Sequence, residues 1–192
     1  MLRRLFVFTF ITFITFSSVA AADTLDINLS NSAAQFKYNK VSGIAGKSDL
    51  FGSFMYNDAN SMLGEAGLLV LNEEGSIAGL SLGIGAKAVV ASLNKLAPSR
   101  IVVSGVALSG QIRFEVPNDR RFALVGEYHY APKIISFGDA DNFYQTGLRA
   151  EFAMSALTQA YVGYRTTKFI LSNNPANGVL DNGAHLGVRL SF

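Results

Sequence analysis

The sequence contains no cysteine and no tryptophan, and only 16% of its residues are charged against 49% hydrophobic. Without cysteine there is no disulfide framework and no lipid attachment at an N-terminal thiol. The charged fraction lies well below the quarter usual in soluble domains, and an apolar surface would explain that balance. Lys and Arg total 16 and Asp and Glu 14, a net charge of +2 without a basic cluster. That leaves no electrostatic footprint for nucleic acid. Beyond the first two dozen residues there is also no apolar run long enough for a transmembrane helix. A chain this apolar that lives in a membrane must then cross it as strands.

What is present begins with an export signal. Met1–Arg4 carries two arginines, Leu5–Phe16 is apolar apart from threonines, and Ser17–Ala22 closes with small residues ending Ala20, Ala21, Ala22. This is the layout of a cleaved secretory signal peptide over residues 1–22. The apolar run is shorter than the ~20 residues a spanning helix needs. Residues 23–192 are then expected to form one exported domain.

Its sequence alternates. In SIAGLSLGIGAKAVVAS, Ala78, Leu80, Leu82, Ile84, Ala86, Ala88 and Val90 are apolar, and Gly79, Ser81, Gly83, Gly85 and Lys87 between them are not. In IVVSGVALSGQIRFEV, Val102, Val106, Leu108, Ile112, Phe114 and Val116 share one face, opposite Gly105, Ser109, Gln111, Arg113 and Glu115. A period of two is a strand. The same reading covers residues 120–131, 142–152, 158–171 and 182–192, and more weakly 47–57 and 62–72. These eight strands of roughly 10 to 16 residues have the length a tilted membrane strand requires. Short links at 72–76, 117–119 and 154–156 take turns with longer ones at 92–100, 131–141 and 171–181, as periplasmic turns and external loops do. The predicted fold is all-β: a closed antiparallel transmembrane β-barrel of eight strands, with ten as the alternative. The alternative arises in LDINLSNSAAQFKYN, where the phase slips at Asn31 and Ser32; a bulge or a tight hairpin would each do this, and a hairpin would make ten strands.

Three short motifs suggest chemistry. GLSLG at 79–83 matches a serine-hydrolase pattern, but Ser81 lies in unbroken alternation with no helix following to form the elbow. GKS at 46–48 lacks the earlier glycine of a phosphate loop, since position 41 is Val41. Glu127 and His129 share a strand face, as a carboxylate orienting a base would; an interior hydrogen-bonded histidine is the simpler reading.

The non-apolar faces are more informative. They collect Glu65, Lys87, Arg113, Glu115, Glu127, Arg149, Glu151, Arg165 and Arg189, with Gln111, His129, Gln145, Gln159, Tyr161 and His185 among them. Charges of both signs withdrawn from bulk water are stable chiefly when paired. The expected interior is a packed ion-pair network in a filled lumen, with glycines making room for the arginines.

The segments GEYHYAP (126–132), SFGDADNFYQTGLRAEF (136–152), AYVGYR (160–165), LDNGAHLGVRLSF (180–192) and LDINLSN (25–31) resemble the YfaZ family of Gram-negative outer-membrane proteins. The resemblance implies an outer-membrane barrel and brings no substrate, reaction or catalytic residue with it. The expectation is a small barrel of structural or surface-interaction type, in contact with outer-membrane lipid, monomeric, and with no cofactor or metal. A lipid-modifying enzyme and a narrow pore or small-ligand transporter are the alternatives. The final strand places Ala184, Leu186, Val188, Leu190 and Phe192 on one face, and its terminal aromatic resembles the signal that barrel-assembly machinery recognises. Phe192 is therefore expected to serve assembly.

Overall fold

A computed structural model describes residues 23–42, 48–72, 78–94, 100–172 and 178–192. The signal peptide lies outside the described residues, as do Gly46 and Lys47 of the GKS motif.

The strands are β1 (Thr24–Ser30), β2 (Ala33–Ser42), β3 (Ser48–Asn57), β4 (Met62–Asn72), β5 (Leu80–Leu93), β6 (Ile101–Glu115), β7 (Phe122–Ala131), β8 (Ser136–Phe137), β9 (Ala140–Ala153), β10 (Thr158–Leu171) and β11 (Val179–Ser191). All but the two-residue β8 are staves of one barrel. Each pairs antiparallel with its sequence neighbours, β11 returns to β1, and the β5–β6 pairing completes the ring. The barrel therefore has ten strands, and the eight-strand expectation is corrected. The cause is the phase slip at Asn31 and Ser32, which is a two-residue hairpin turn. Ser30 Oγ accepts the Ala33 N–H at 2.9 Å there, and β1 then pairs with both β2 and β11. No helix among the described residues is long and apolar enough to cross a membrane.

Alternation positions the faces. Ile84, Leu108, Leu148, Val162 and Leu186 project outward and are exposed, Leu108 by 64%. Their neighbours Lys87, Ser109, Arg165 and His185 point inward and are buried. Because a lipid-facing side chain gains from being apolar while closed strands satisfy every backbone group, this pattern is that of a membrane-spanning barrel.

Thr24 and Ser191 pair at one end, the periplasmic end by the rule for such barrels. Among the described turns there is 117–121, where the Arg121 guanidinium donates to Asp119 at 2.9 and 2.8 Å and holds its carboxyl below the usual range. At the opposite end, two connections are as short as any periplasmic one. These are Asn31–Ser32 and the turn after Asn57, in which Asn60 takes a left-handed φ of 56° that asparagine tolerates. The strict alternation of short and long links holds only from β5 onward. The connection after β7 contains a single 3-10 turn, Lys133–Ile135, before β8 docks on Ser104 and Gly105 of β6.

Candidate functional site in the barrel lumen

The lumen is layered. Its outer end is closed by Met55, Leu63, Val89, Leu93, Val103, Phe143, Phe169, Leu171 and Leu180, all buried in one apolar cluster. Phe143 and Phe169 meet with ring centroids 4.7 Å apart. The expectation of polar inward faces is corrected here. Alternation stops beyond Lys87 in β5, where Val89, Ala91 and Leu93 are apolar on the inner face too, and it stops likewise at Val103, Phe143 and Phe169. Since neighbouring strands run in opposite directions, these interruptions collect at one end of the barrel.

Beneath this plug lies a first polar network. Lys87 donates to Glu65 at 2.5 Å and to Gln145, and its ammonium also sits 5.4 Å from the Phe143 ring, at the boundary of the apolar layer. Glu65 accepts from Ser53 at 2.6 Å and from Gln35 at 3.3 Å. Arg165 joins this group through Gln35 and Asn28, and is held on its other side by Asp181 at 2.6 and 2.9 Å.

A second network lies toward the periplasm and centres on Glu151. Its Oε1 accepts from Arg149 at 2.7 Å and faces Arg189 at 3.2 Å, while its Oε2 pairs with Arg113. One carboxylate thus holds three guanidiniums. Each has an acid of its own: Glu115 at 3.2 Å for Arg113, Glu127 for Arg149 and Asp26 at 3.0 Å for Arg189. Tyr161 donates to Asp26, and its ring fits only because residue 187 is glycine; a Cβ there would lie 2.3 Å from Tyr161 Cζ. Gly163 likewise leaves space for Arg149, whose Cβ would be 2.7 Å away.

The histidines are interior. His129 Nδ1 is 2.8 Å from Ser109 Oγ and its Nε2 is 3.8 Å from Glu127. Serine, histidine and carboxylate are thus together, but on the lumen side, with Leu108, Tyr128 and Tyr130 between them and lipid. His185 packs edge-on against Tyr161 at 5.9 Å, and its Nδ1 has no partner among the described residues. Ser81 lies in β5 opposite Arg113, within a strand and away from any helix. Phe192 is exposed at the periplasmic seam, its N–H bonded to Asp23 O at 3.0 Å.

Five partners in these networks, Asp26, Asn28, Gln35, Ser53 and Asp181, are absent from the sequence-based set. Asp26, Asn28 and Gln35 belong to the first hairpin, which an eight-strand reading leaves outside the barrel. The signal for Asp26 and Asn28 is their alternation with Leu25, Ile27 and Leu29, and for Gln35 its place between Ala34 and Phe36. Asp181 enters the lumen by plain alternation, in phase with Gly183, His185 and Arg189 and in register opposite Thr167; reading the last strand from Asn182 leaves it in the preceding connection, and the bulge at Leu180 begins only beyond it.

Cavities accompany the networks. A gap of about 50 Å³ lies among the side chains of the middle lumen. It shares Lys37, Phe51, Arg149 and Arg189 with a cavity of about 140 Å³. That cavity shares Gln111 and Arg113 with a mouth of about 520 Å³ between the β4–β5 and β6–β7 ends. The lumen therefore opens toward the periplasm and narrows outward until the apolar plug shuts it.

A closed ten-stranded barrel with an apolar belt and a charged lumen is an outer-membrane β-barrel. The chain belongs to the YfaZ family: the family model described as YfaZ precursor matches residues 7–192. The protein is exported with a cleaved signal peptide and resides in the outer membrane. No curated protein matches the chain. Among solved structures it is similar to the KdgM porin, at 11% identity over 89% of this chain and 99% of that one, TM-score 0.44. It is also similar to the outer membrane channel DcaP of Acinetobacter baumannii, at 12% over 93% and 56%, TM-score 0.44. A third is the NanC porin, at 11% over 90% and 98%, TM-score 0.43.

Proposed function

We propose that the protein is a narrow conduit for small solutes, shut in the conformation described. The observation that carries this reading is the charged middle of the lumen. Buried ion pairs stabilise no better than apolar side chains of the same volume. The outer end of this barrel is filled by apolar side chains, so the same solution was available below it. A structural barrel has no need of two ion-pair networks, whereas a lumen that handles polar solutes does. The networks run into cavities on the periplasmic side, and the plug has the character of a hydrophobic constriction, which gates by excluding water.

The second reading is a sealed barrel of structural or surface-interaction type, favoured by the plug itself and by the small gap left in the middle lumen. Enzymatic attack on membrane lipid is disfavoured because Ser109 and His129 face the lumen.

Single-channel recording in planar bilayers separates the first two. The native protein should give no steady conductance. Phe143→Ala combined with Phe169→Ala should give reproducible steps, in protein whose faster unboiled migration in gels shows that the barrel is intact. Leu171→Ala is a milder cut through the same plug. Silence from intact plug variants would leave the sealed barrel as the correct description.

A further inference from the structure

The 140 Å³ cavity has a wall of one dominant sign. It is lined by Lys37, Arg113, Arg149 and Arg189, with Asp49 as its one acid, and by the neutral polar side chains Thr24, Asn39 and Gln111. The carboxylates that pin the three arginines, Asp26, Glu115, Glu127 and Glu151, are not part of that wall. They bind the guanidiniums from outside that wall, so the lining itself carries four basic side chains to one acid.

Donors remain unused. Arg113 reaches its carboxylates through Nε and Nη1, and so does Arg149; the Nη2 group of each has no partner among the described residues. Lys37 forms no ion pair among the described residues and lies 4.4 Å over the Phe51 ring, a contact that orients the ammonium without neutralising it. Guanidinium N–H edges match the planar pair of oxygens in a carboxylate, and an ammonium adds a point charge.

We propose that the periplasmic half of the lumen is a binding site for a small organic carboxylate, held by Lys37 and the free Nη2 groups of Arg113 and Arg149. The inference rests on reading the lumen as a compartment that solutes enter, and its test measures binding, so that it and the conduit reading can fail separately.

The test is isothermal titration calorimetry of the detergent-refolded protein with succinate, at fixed ionic strength, against succinamide as an uncharged isostere. Succinate should bind saturably and succinamide should not. Lys37→Met should weaken succinate binding about tenfold or more, because a charge-assisted hydrogen bond is lost while no carboxylate is left unpaired. Lys37→Arg should retain most of the affinity, and Lys133→Met, on the external connection, should change nothing. Absence of saturable succinate binding, equal binding of succinamide, or a Lys37→Met protein of native affinity would overturn the proposal. Inorganic phosphate binding in place of succinate would overturn the carboxylate assignment. The native protein's two titrations decide the matter even if a variant fails to refold. Binding by a protein whose plug variants never conduct would sink the conduit reading alone.

Discussion

Lys87 on β5 donates to Glu65 on β4 at 2.5 Å, with their side chains only 2% and 3% exposed. A pair withdrawn so far from water survives because each charge is also satisfied elsewhere, Lys87 by Gln145 and Glu65 by Ser53 and Gln35. Removing one partner strands the other. Lys87→Met should cost about 3 to 5 kcal/mol. The double change Lys87→Met, Glu65→Leu should recover most of that loss, because it removes the orphaned charge. Urea unfolding in detergent micelles reads both values. A double variant as unstable as the single one would show that the pair contributes more than mutual neutralisation.

The lipid face gives a second prediction. Leu108 is 64% exposed and faces outward midway along β6, whereas Gln111 faces the lumen beside Arg113. Leu108→Arg should cost roughly 2 to 4 kcal/mol in refolding into lipid. Gln111→Arg should leave insertion intact and alter the lumen instead. Cysteines at the two sites should label with lipid-soluble and water-soluble reagents respectively. The reverse pattern would place the strand in the opposite phase.

The eight strands from Ser48 onward are legible in the sequence for one reason: lipid on one side and a lumen on the other impose a period of two that no local propensity obscures. The first hairpin is less legible, because β1 has only seven residues and Asn31–Ser32 changes phase in a way a bulge also would. Alternation collects the charges Glu65, Lys87, Arg113, Glu115, Glu127, Arg149, Glu151, Arg165 and Arg189 on one set of faces and is silent on their pairing. Arg165 takes Asp181 as its acid because the last strand starts at Val179, earlier than its clear alternation from Asn182, and carries Asp181 on the inward set with Gly183 and His185. The apolar plug is written in the sequence as interruptions of alternation at Val89, Val103, Phe143 and Phe169. They gain meaning only when antiparallel pairing brings them to one level, which is a property of the fold and of no single strand.

Phe192 supports a third prediction, about assembly. It is 47% exposed on the lipid side, and its backbone N–H closes the seam between the first and last strands. Changing it to Asp keeps that N–H and removes an apolar side chain worth roughly 1.5 to 3 kcal/mol even when buried completely. Refolding of the purified variant into detergent should therefore be near normal. If the aromatic serves recognition by the assembly machinery, Phe192→Asp should instead insert poorly in cells and be degraded. Equal loss in both settings would mean that the side chain serves stability alone.

The last prediction compares two glycines on β11. At Gly187 a Cβ would meet Tyr161 Cζ at 2.3 Å, its hydroxyl at 2.4 Å and Asn28 Cβ at 2.8 Å, whereas at Gly183 it would meet nothing within 4 Å. Both lie in a strand, where replacing glycine by alanine removes freedom from the unfolded chain and by itself stabilises by about 0.4 to 1 kcal/mol. Gly183→Ala should show that gain. Gly187→Ala should show a loss of roughly 1 to 3 kcal/mol, because the Tyr161 ring must leave its place and Asp26 then loses a donor beside Arg189. Most of the effect belongs to the Tyr161 ring, so that share should vanish in a Tyr161→Ala background, which a double-mutant cycle on unfolding free energies measures. A Gly187→Ala cost that persists in full without the tyrosine ring would locate the strain at Asn28 Cβ, 2.8 Å from the added atom. A gain like that of Gly183→Ala would mean that Tyr161 has room to move, and that the Tyr161–Asp26 contact does not fix the second network.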